Sequence, residues 1–229
     1  MKPTTLCYMM MSMDGRIDCA MTEHLAGTKE YYQILQELDI PTTVSGRNTA
    51  ELEIALPGKF IPENPEPYGR EGFSKKVNAL GYEVIFDTKG KLLWEKEENT
   101  VKPHLIVTST QVPKDYLDYL DRQNISWIAC GNEHTDLKRA VEILGTEFGV
   151  KRMGVVGGST INTAFLEAGL LDEVDLLIGP GIDGRREMPS VFEGRKEAIP
   201  VSMKLVNSKI YEDGVVFLQY RLNTAVYSF

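Results

Sequence analysis

The segment Gly157–Thr160, with the sequence Gly-Gly-Ser-Thr, combines residue types that suit the binding of a phosphate group. An apolar strand is predicted before it over Met153–Val156, and a helix with one apolar face follows it. Paired glycines allow a close approach of the backbone, and a helix start presents unpaired N–H groups with partial positive charge. Ser159 and Thr160 are also good capping residues for that helix. The pattern is typical of a phosphate-binding turn, but equally of an ordinary strand-to-helix turn.

The same order of strand, glycine, polar turn and helix start occurs earlier in the chain, over Thr42–Leu52. Its turn begins at Gly46, and Arg47 is suited to pair with a phosphate while Thr49 is suited to hydrogen-bond to one. Alternatively, Arg47 is a solvated surface residue. Neither glycine turn matches the Walker loop or the complete dinucleotide-binding fingerprint.

Further polar residues follow two predicted buried strands. Ser12, Asp14 and Arg16 come after the strand Thr5–Met11, at the kind of strand end where ligands bind in α/β folds. Asp14 is followed by glycine, so its role is either to form a turn or to contact a ligand. Ser109 follows the strand predicted over 104–108, where its hydroxyl can cap the next helix or bind a ligand.

The elements that position these residues alternate between strands and helices. Strands are predicted over 5–11, 42–45, 82–87, 104–108, 125–129, 153–156 and 174–178, and helices over 28–38, 75–80, 113–120, 135–148 and from about 161. The segment Leu56–Gly72 is predicted to be an irregular loop because it is rich in proline and glycine. Lys204–Tyr211 and Val215–Leu222 flank a turn and predict a hairpin. This order predicts one α/β domain over residues 1–229, with a mixed sheet that ends in an antiparallel hairpin.

The composition of the chain limits the partners, the metal sites and the location that can be expected. The net charge of −8 argues against nucleic acid or an anionic membrane as the main partner, although a small anionic ligand needs only a local cluster of donors. The three cysteines and three histidines are widely spaced, so no metal site is expected and a reducing compartment is favoured. No apolar run approaches the roughly 20 residues that span a membrane, and a cytoplasmic location is therefore expected.

Taken together, these motifs resemble one family, the riboflavin-pathway pyrimidine reductases of the dihydrofolate reductase-like superfamily. Met11–Ile17 resembles that family's Ser-Leu-Asp-Gly-Lys/Arg-Ile segment, and Gly157–Thr160 resembles its glycine turn. Leu170–Val174 and Gly179 with Pro180 are similar to the segments that follow in the family. The resemblance covers nearly the whole chain, with the motifs in matching order.

The resemblance implies a three-layer α/β/α fold, NADPH as cofactor, a small-molecule substrate and a homodimer. It implies hydride transfer to a C=N or C=O carbon of a heterocyclic or ribosylamino compound, such as 5-amino-6-(5-phosphoribosylamino)uracil. Asp14 and Arg16 would contact the nicotinamide and substrate, with Asp14 as the catalytic candidate, and Ser109 would lie by the 2′-phosphate. The residues implied to bind the cofactor are Gly46, Arg47, Thr49, Glu53, Ser109, Gly157, Gly158, Ser159, Thr160, Ile161 and Asn162.

Three departures from the family pattern affect the substrate side. Val156 stands where the family usually has a glutamate, and an arginine expected in the first helix is absent from Gln36–Asp39. The family's Asp-Asp-Pro segment is not matched by Glu51–Leu56. The alternative is therefore a nucleotide-binding module without catalysis, which acts as a sensor or dimeric partner. If Asp14 is instead a proton donor, burial has to raise its pKa.

Overall fold

The computed structural model describes residues 2–195 and 199–223. The chain divides into two compact units, of which the first contains Pro41–Met153 and the second contains Thr4–Ile40 together with the chain from Gly154 onward. The strands are β1 (Thr4–Met11), β2 (Thr42–Gly46), β3 (Gly72–Ser74), β4 (Glu83–Phe86), β5 (His104–Thr108), β6 (Ser126–Ala129), β7 (Arg152–Gly157), β8 (Glu173–Ile178), β9 (Met203–Ile210) and β10 (Val216–Leu222). The helices are α1 (Cys19–Thr22), α2 (Thr28–Glu37), α3 (Arg47–Glu53), α4 (Lys114–Arg122), α5 (Leu137–Thr146) and α6 (Ser159–Glu167).

The first unit is built on strands in the order β3-β6-β5-β4-β2. All neighbouring pairs are parallel except β3 with β6. The central strands are continuous runs of apolar residues, and Leu105, Ile106 and Val107 of β5 are fully buried, as expected for parallel strands that are covered on both faces. Ile106 packs in one core cluster with Tyr116 and Leu120 of α4, and this packing fixes the strand ends on which polar residues lie.

The second unit has strands in the order β7-β1-β8-β10-β9. β1 and β8 are parallel, whereas β10 is antiparallel to both β8 and β9. Helix α2 packs against this unit through Ile34, which joins Tyr8, Leu177 and Phe217 in a core cluster. The Tyr8 hydroxyl also donates a hydrogen bond of 2.9 Å to the carbonyl of Tyr31. The expected α/β fold, with mostly parallel strands and a C-terminal antiparallel hairpin, is confirmed.

The helix predicted over Lys75–Leu80 is wrong, because the segment is extended and irregular. Its backbone amides bond to side chains outside the segment. The amide of Lys76 donates to Ser126 Oγ at 3.0 Å, fifty residues away, and Tyr82 Oη accepts from the amide of Ala79 at 3.2 Å. These side-chain contacts outweigh a helical pattern that is only six residues long.

The predicted capping by Ser159 and Thr160 is also wrong. These are the first two residues of α6 itself, the N-cap is Gly158, and no side chain caps the helix. Among residues 2–195 and 199–223, none of the helices combines the length and hydrophobicity that a membrane span requires.

Candidate functional site

A cavity of about 270 Å³ lies at the carboxyl ends of two neighbouring strands in the first unit. β2 and β4 are parallel, with Gly46 paired to Phe86, so both strands end at the same edge. The cavity is lined by Arg47, Phe86, Asp87, Thr88 and Lys89. Because parallel α/β folds bind ligands at the carboxyl ends of their strands, this is the position expected for a ligand. Arg47 and Lys89 give the cavity two cations.

Of the predicted residues in the first unit, Gly46 is the N-cap of α3 in an extended conformation, and Arg47 begins the helix. Arg47 is exposed, and its Nη2 atom lies 3.2 Å from Asn48 Oδ1. Thr49 is half-buried, whereas Glu53 is exposed at the last position of the helix. The structure thus brings Arg47 to the cavity wall, while Glu53 is not among the lining residues.

Asp87 is a fully buried carboxylate at the end of β4, and its importance was not predicted from the sequence. Its Oδ2 atom accepts hydrogen bonds from the amides of Lys91 at 2.6 Å and Leu92 at 2.9 Å, and from the Tyr116 hydroxyl at 3.2 Å. Its Oδ1 atom is buried and has no hydrogen-bond partner among the described residues. Burial raises the pKa of Asp87, although the two amides, the hydroxyl and the charge of Arg47 oppose this shift.

Ser109 lies beside the same loop, although it follows a different strand. Its hydroxyl donates to the carbonyl of Thr88 at 3.1 Å, and its backbone amide donates to the same carbonyl at 3.1 Å. Both groups therefore hold the backbone of Thr88, which lines the cavity. Ser109 is 1% exposed, so it supports the loop from behind in the described structure.

In the second unit, the glycine turn joins β7 to α6 as predicted. Gly157 has a φ of 125°, which only glycine adopts without strain, and the Gly157–Gly158 peptide is cis. Because α6 has no side-chain cap, the amides of its first turn remain available to an external acceptor. Ser159 is half-buried and Thr160 is exposed, whereas Ile161 is buried.

Asn162 is fully buried in the first turns of α6. Its Nδ2 atom donates to the carbonyl of Val191 at 2.9 Å, while its Oδ1 atom has no partner among the described residues. The side chain of Asn162 thus fastens the segment around Val191 to α6. Thr163 supports the same segment, because its hydroxyl accepts from the amide of Glu193 at 2.8 Å.

Asp14 forms a tight cluster of hydrogen bonds at the end of β1. Its carboxylate accepts from the Ser12 hydroxyl at 2.6 Å and from the amides of Asp183 at 3.0 Å and Gly184 at 2.9 Å. These donors, the Ser12 hydroxyl first, hold the pKa of Asp14 well below its usual range. The condition for Asp14 to donate a proton is therefore not met, because the side chain is exposed and its pKa is lowered. The carboxylate anchors the loop at 183–184.

Arg16 is half-buried beneath the segment 188–193. Its Nη1 atom donates to the carbonyl of Met188 at 2.6 Å and lies 4.0 Å from Glu193. Its Nε atom is buried and has no partner among the described residues. The segment 188–193 was not singled out from the sequence, yet it contacts both Arg16 and Asn162. No local pattern in the sequence indicates these contacts, because they join residues far apart in the chain.

The part of the chain that the structure describes contains no group of three or more His, Cys, Asp or Glu side chains that could hold a metal ion. Two of the cysteines, Cys7 and Cys130, are buried. Burial raises the pKa of Cys130 to about 12 and that of Cys7 further.

Comparison with known proteins identifies a family whose model matches this chain. The model of the RibD C-terminal domain family matches residues 3–217. A 2,5-diamino-6-ribosylamino-4(3H)-pyrimidinone 5′-phosphate reductase from Methanothermobacter thermautotrophicus is 32% identical over 96 residues, which is 42% of this chain and 44% of that protein. The reductase of the same name from Aquifex aeolicus is 29% identical over 92 residues, which is 40% of this chain and 41% of that protein. These matches span less than half the length of either curated relative.

A solved structure of a pyrimidine reductase-like protein from Corynebacterium diphtheriae superposes with a TM-score of 0.71. It is 18% identical, and the match covers 96% of this chain and 92% of the other. At this identity, the likeness shows that the two proteins share a fold.

Proposed function

Because the chain belongs to the RibD C-terminal domain family, we propose that it is an NADPH-dependent pyrimidine reductase of the riboflavin pathway. The match over residues 3–217 carries this proposal, because it includes the Asp14 turn and both glycine turns. The reaction is hydride transfer to a C=N or C=O carbon of a ribosylamino pyrimidine phosphate. The names of the curated relatives favour 2,5-diamino-6-ribosylamino-4(3H)-pyrimidinone 5′-phosphate over 5-amino-6-(5-phosphoribosylamino)uracil. They also favour an enzyme over a sensor without catalysis.

NADPH, which supplies the hydride when bound, is proposed to bind through the glycine turns that precede α6 and α3. The amides at the start of α6, over Gly158–Ile161, would donate to the diphosphate, and Asn162 would lie beside them. The positive φ of Gly157 supports this because it allows a tight turn before the helix. Gly46, Arg47 and Thr49 would contact the cofactor at the start of α3, with Glu53 near the family's acidic position. The cavity beside Arg47 and Lys89 fits an anionic group because both side chains are cationic.

The 2′-phosphate of the cofactor is proposed to lie near Ser109 and the loop that it supports. Arg47 and Lys89 line the cavity beside this loop, and their two cationic side chains support the binding of the extra phosphate.

Asp14 and Arg16 are proposed to act on the substrate side. Arg16 would attract the substrate phosphate, and the unpartnered Nε atom supports this because a buried donor without an acceptor is costly. Asp14 would act as an ionised carboxylate that anchors the loop at 183–184, and the transferred proton would come from another group or from water. We also expect a cytoplasmic homodimer, as the family resemblance implies.

The direct test is NADPH oxidation by the purified protein with the diamino pyrimidinone and the aminouracil phosphates supplied separately. The proposal predicts oxidation that depends on substrate and is faster with the diamino compound. Gly158→Asp places a carboxylate at the proposed diphosphate site and should abolish cofactor binding measured by calorimetry. Thr100→Asp, at an exposed residue outside the proposed cofactor turns, adds the same charge; it is the control and should bind normally. Tight NADPH binding without oxidation of either substrate would contradict the proposed reaction.

A further inference from the structure

Residues 188–193 form an irregular segment on the surface of the second unit, between β8 and β9. All six residues are described by the structure, and none of them belongs to a helix or to a regular strand. The backbone groups of such a segment depend on other elements and on side chains for their hydrogen bonds. We call residues 188–193 the strap.

The turn after β1 holds the first half of the strap. Arg16 forms an isolated antiparallel bridge with Ser190, and its Nη1 atom donates to the carbonyl of Met188 at 2.6 Å. The amide of Ile17 donates to the carbonyl of Pro189 at 3.1 Å. The strap is therefore attached to the turn that carries Arg16, the residue proposed to meet the substrate phosphate.

Helix α6 holds the second half of the strap. Asn162 Nδ2 donates to the carbonyl of Val191 at 2.9 Å, and the Thr163 hydroxyl accepts from the amide of Glu193 at 2.8 Å. Asn162 and Thr163 are only 0% and 4% exposed, so water has little access to compete for these two hydrogen bonds. The strap thus joins α6 to the turn after β1.

Glu193 connects the two halves of the strap. Its Oε1 atom accepts from the amide of Ser190 at 2.7 Å and lies 4.0 Å from Arg16 Nη1. Its own amide is the group that donates to Thr163. One residue therefore contacts α6 through its backbone and faces the guanidinium of Arg16 through its side chain.

The first turn of α6 links Asn162 directly to the proposed diphosphate site. The amide of Asn162 donates to the carbonyl of Gly158 at 3.2 Å, and Gly158 is the N-cap of the helix. An anion that binds the free amides at a helix start stabilises that first turn. It would therefore also fix Asn162, whose side chain holds the strap at Val191.

Two of the side chains that hold the strap have hydrogen-bonding capacity left. Asn162 Oδ1 and Arg16 Nε are buried, and neither atom has a partner among the described residues. A buried polar atom without a partner is costly. Ligand binding that supplies these partners, or that shifts the strap toward them, is therefore favoured at both ends of the strap.

We propose that the strap couples the two proposed binding sites, so that cofactor at the start of α6 raises the affinity for the phosphorylated substrate beside Arg16. The first ligand orders the strap, and the second ligand then binds to a segment that is already ordered. Such coupling is reciprocal, so the substrate raises the affinity for the cofactor by the same factor. Thr163 and Glu193 are positioning residues, because they act only through the strap. The inference rests on the proposed function and adds how its two sites communicate.

The test is calorimetry with NADP⁺, which carries no hydride to transfer, and the diamino ribosylamino pyrimidinone phosphate. Saturating NADP⁺ should lower the dissociation constant of the pyrimidinone for the wild type by about 10-fold. Thr163→Val removes the acceptor of the Glu193 amide and should reduce this ratio to about twofold or less. Its dissociation constant for NADP⁺ alone should stay within about threefold of wild type. Thr42→Val is the matched control and should keep the full ratio, because the buried Thr42 hydroxyl also accepts from a backbone amide, that of Tyr82 at 3.2 Å.

Two variants at the exposed Glu193 provide a second test that does not disturb the core. Glu193→Ala removes the acceptor of the Ser190 amide and should lose the coupling, whereas Glu193→Gln keeps an oxygen acceptor and should retain at least about a fivefold ratio. Hydrogen exchange with NADP⁺ alone gives a readout that does not depend on the substrate. Exchange at the amides of Ile17 and Ser190 should slow by at least about threefold in the wild type and stay unchanged in Thr163→Val.

The outcomes separate the coupling from the proposed function. A wild type that binds NADP⁺ and the pyrimidinone, with neither ligand changing the affinity for the other, would overturn the coupling alone. A full ratio in Thr163→Val, or an equal loss in Thr163→Val and Thr42→Val, would do the same. A folded protein that binds neither ligand would overturn the proposed function and the coupling with it.

Discussion

The Tyr116 hydroxyl donates a hydrogen bond of 3.2 Å to the Oδ2 atom of Asp87, and both residues are fully buried. The same hydroxyl accepts from Trp94 Nε1 at 3.1 Å, which orients it toward the carboxylate. Together with the amides of Lys91 and Leu92, it partly compensates for the burial of Asp87. Burial nevertheless dominates and raises the pKa of this carboxyl.

Asp87→Asn tests this balance through the pH dependence of stability. A carboxyl whose pKa is raised in the folded state contributes stability that is fully present below its unfolded pKa of about 3.9 and is lost as pH rises through the folded value. The free energy of unfolding of the wild type, minus that of Asp87→Asn, should therefore fall as pH rises above about 4. Urea titrations at a series of pH values measure this difference. Glu95→Gln, at an exposed carboxyl, is the control. If the difference in the free energy of unfolding for Asp87→Asn rose with pH instead, the hydrogen bonds would outweigh burial.

Arg47→Ala tests the proposed role of the cavity in cofactor binding. Loss of the guanidinium should weaken NADPH binding by about 10-fold, since a charge-assisted contact to phosphate contributes roughly 1.5 kcal/mol. NADH, which lacks the 2′-phosphate, should be affected less if Arg47 lies near that group. Calorimetry with both cofactors gives the two ratios. Arg122→Ala, at an exposed arginine on α4, is the control and should change neither the NADPH nor the NADH affinity. An unchanged NADPH affinity in Arg47→Ala would show that Arg47 does not contact the cofactor.

Asp14→Asn tests whether Asp14 anchors the loop at 183–184 or donates a proton. The amide oxygen of asparagine keeps one acceptor, but the pair of contacts to the amides of Asp183 and Gly184 is weakened. We expect kcat/KM to fall by about 10-fold, because the loop at 183–184 loses part of its support. The shape of the pH profile should stay the same, since the pKa of Asp14 is already held far below its usual range. Loss of one limb of the profile in the variant would instead identify Asp14 as the acid.

Arg16→Gln tests the proposed contact with the substrate phosphate. Removal of the charge should raise KM for the phosphorylated substrate by about 10- to 100-fold and leave kcat nearly unchanged, because the contact is the same in the ground state and transition state. The matched control is the dephosphorylated substrate, whose KM should be similar for both proteins. An equal loss with both substrates would mean that Arg16 only supports the segment 188–193.

The strands of the central sheets could be predicted because their signal is local. Leu105, Ile106 and Val107 form a short, continuous apolar run with turn residues after it, and such a run is typical of a buried parallel strand. The three-residue strand β3 was not predicted, because it begins with a glycine and depends on pairing with Ala129, Ile128 and Trp127 of β6. Its stability comes from a partner more than fifty residues away in sequence.

The residues of the candidate site also divide into those that could be predicted from the sequence and those that could not. Gly157 could be predicted because a glycine pair between a strand and a helix has a direct conformational meaning, and its φ of 125° agrees with this. Asp87 could not, because one aspartate after a strand does not reveal that Tyr116 and the amides of Lys91 and Leu92 will surround it. The proposed cofactor contacts at Arg47 and Gly158 remain predictions, which Arg47→Ala and Gly158→Asp test.

The most direct test of the central claim is the transfer of the hydride itself. The protein would be incubated with the diamino ribosylamino pyrimidinone phosphate and NADPH that carries deuterium at the transferable position of the nicotinamide, and the product would be analysed by mass spectrometry. The account predicts a reduced product that contains one deuterium per molecule and an equal amount of oxidised cofactor. A product without deuterium, or recovery of unchanged substrate from a folded protein that binds NADPH, would contradict it.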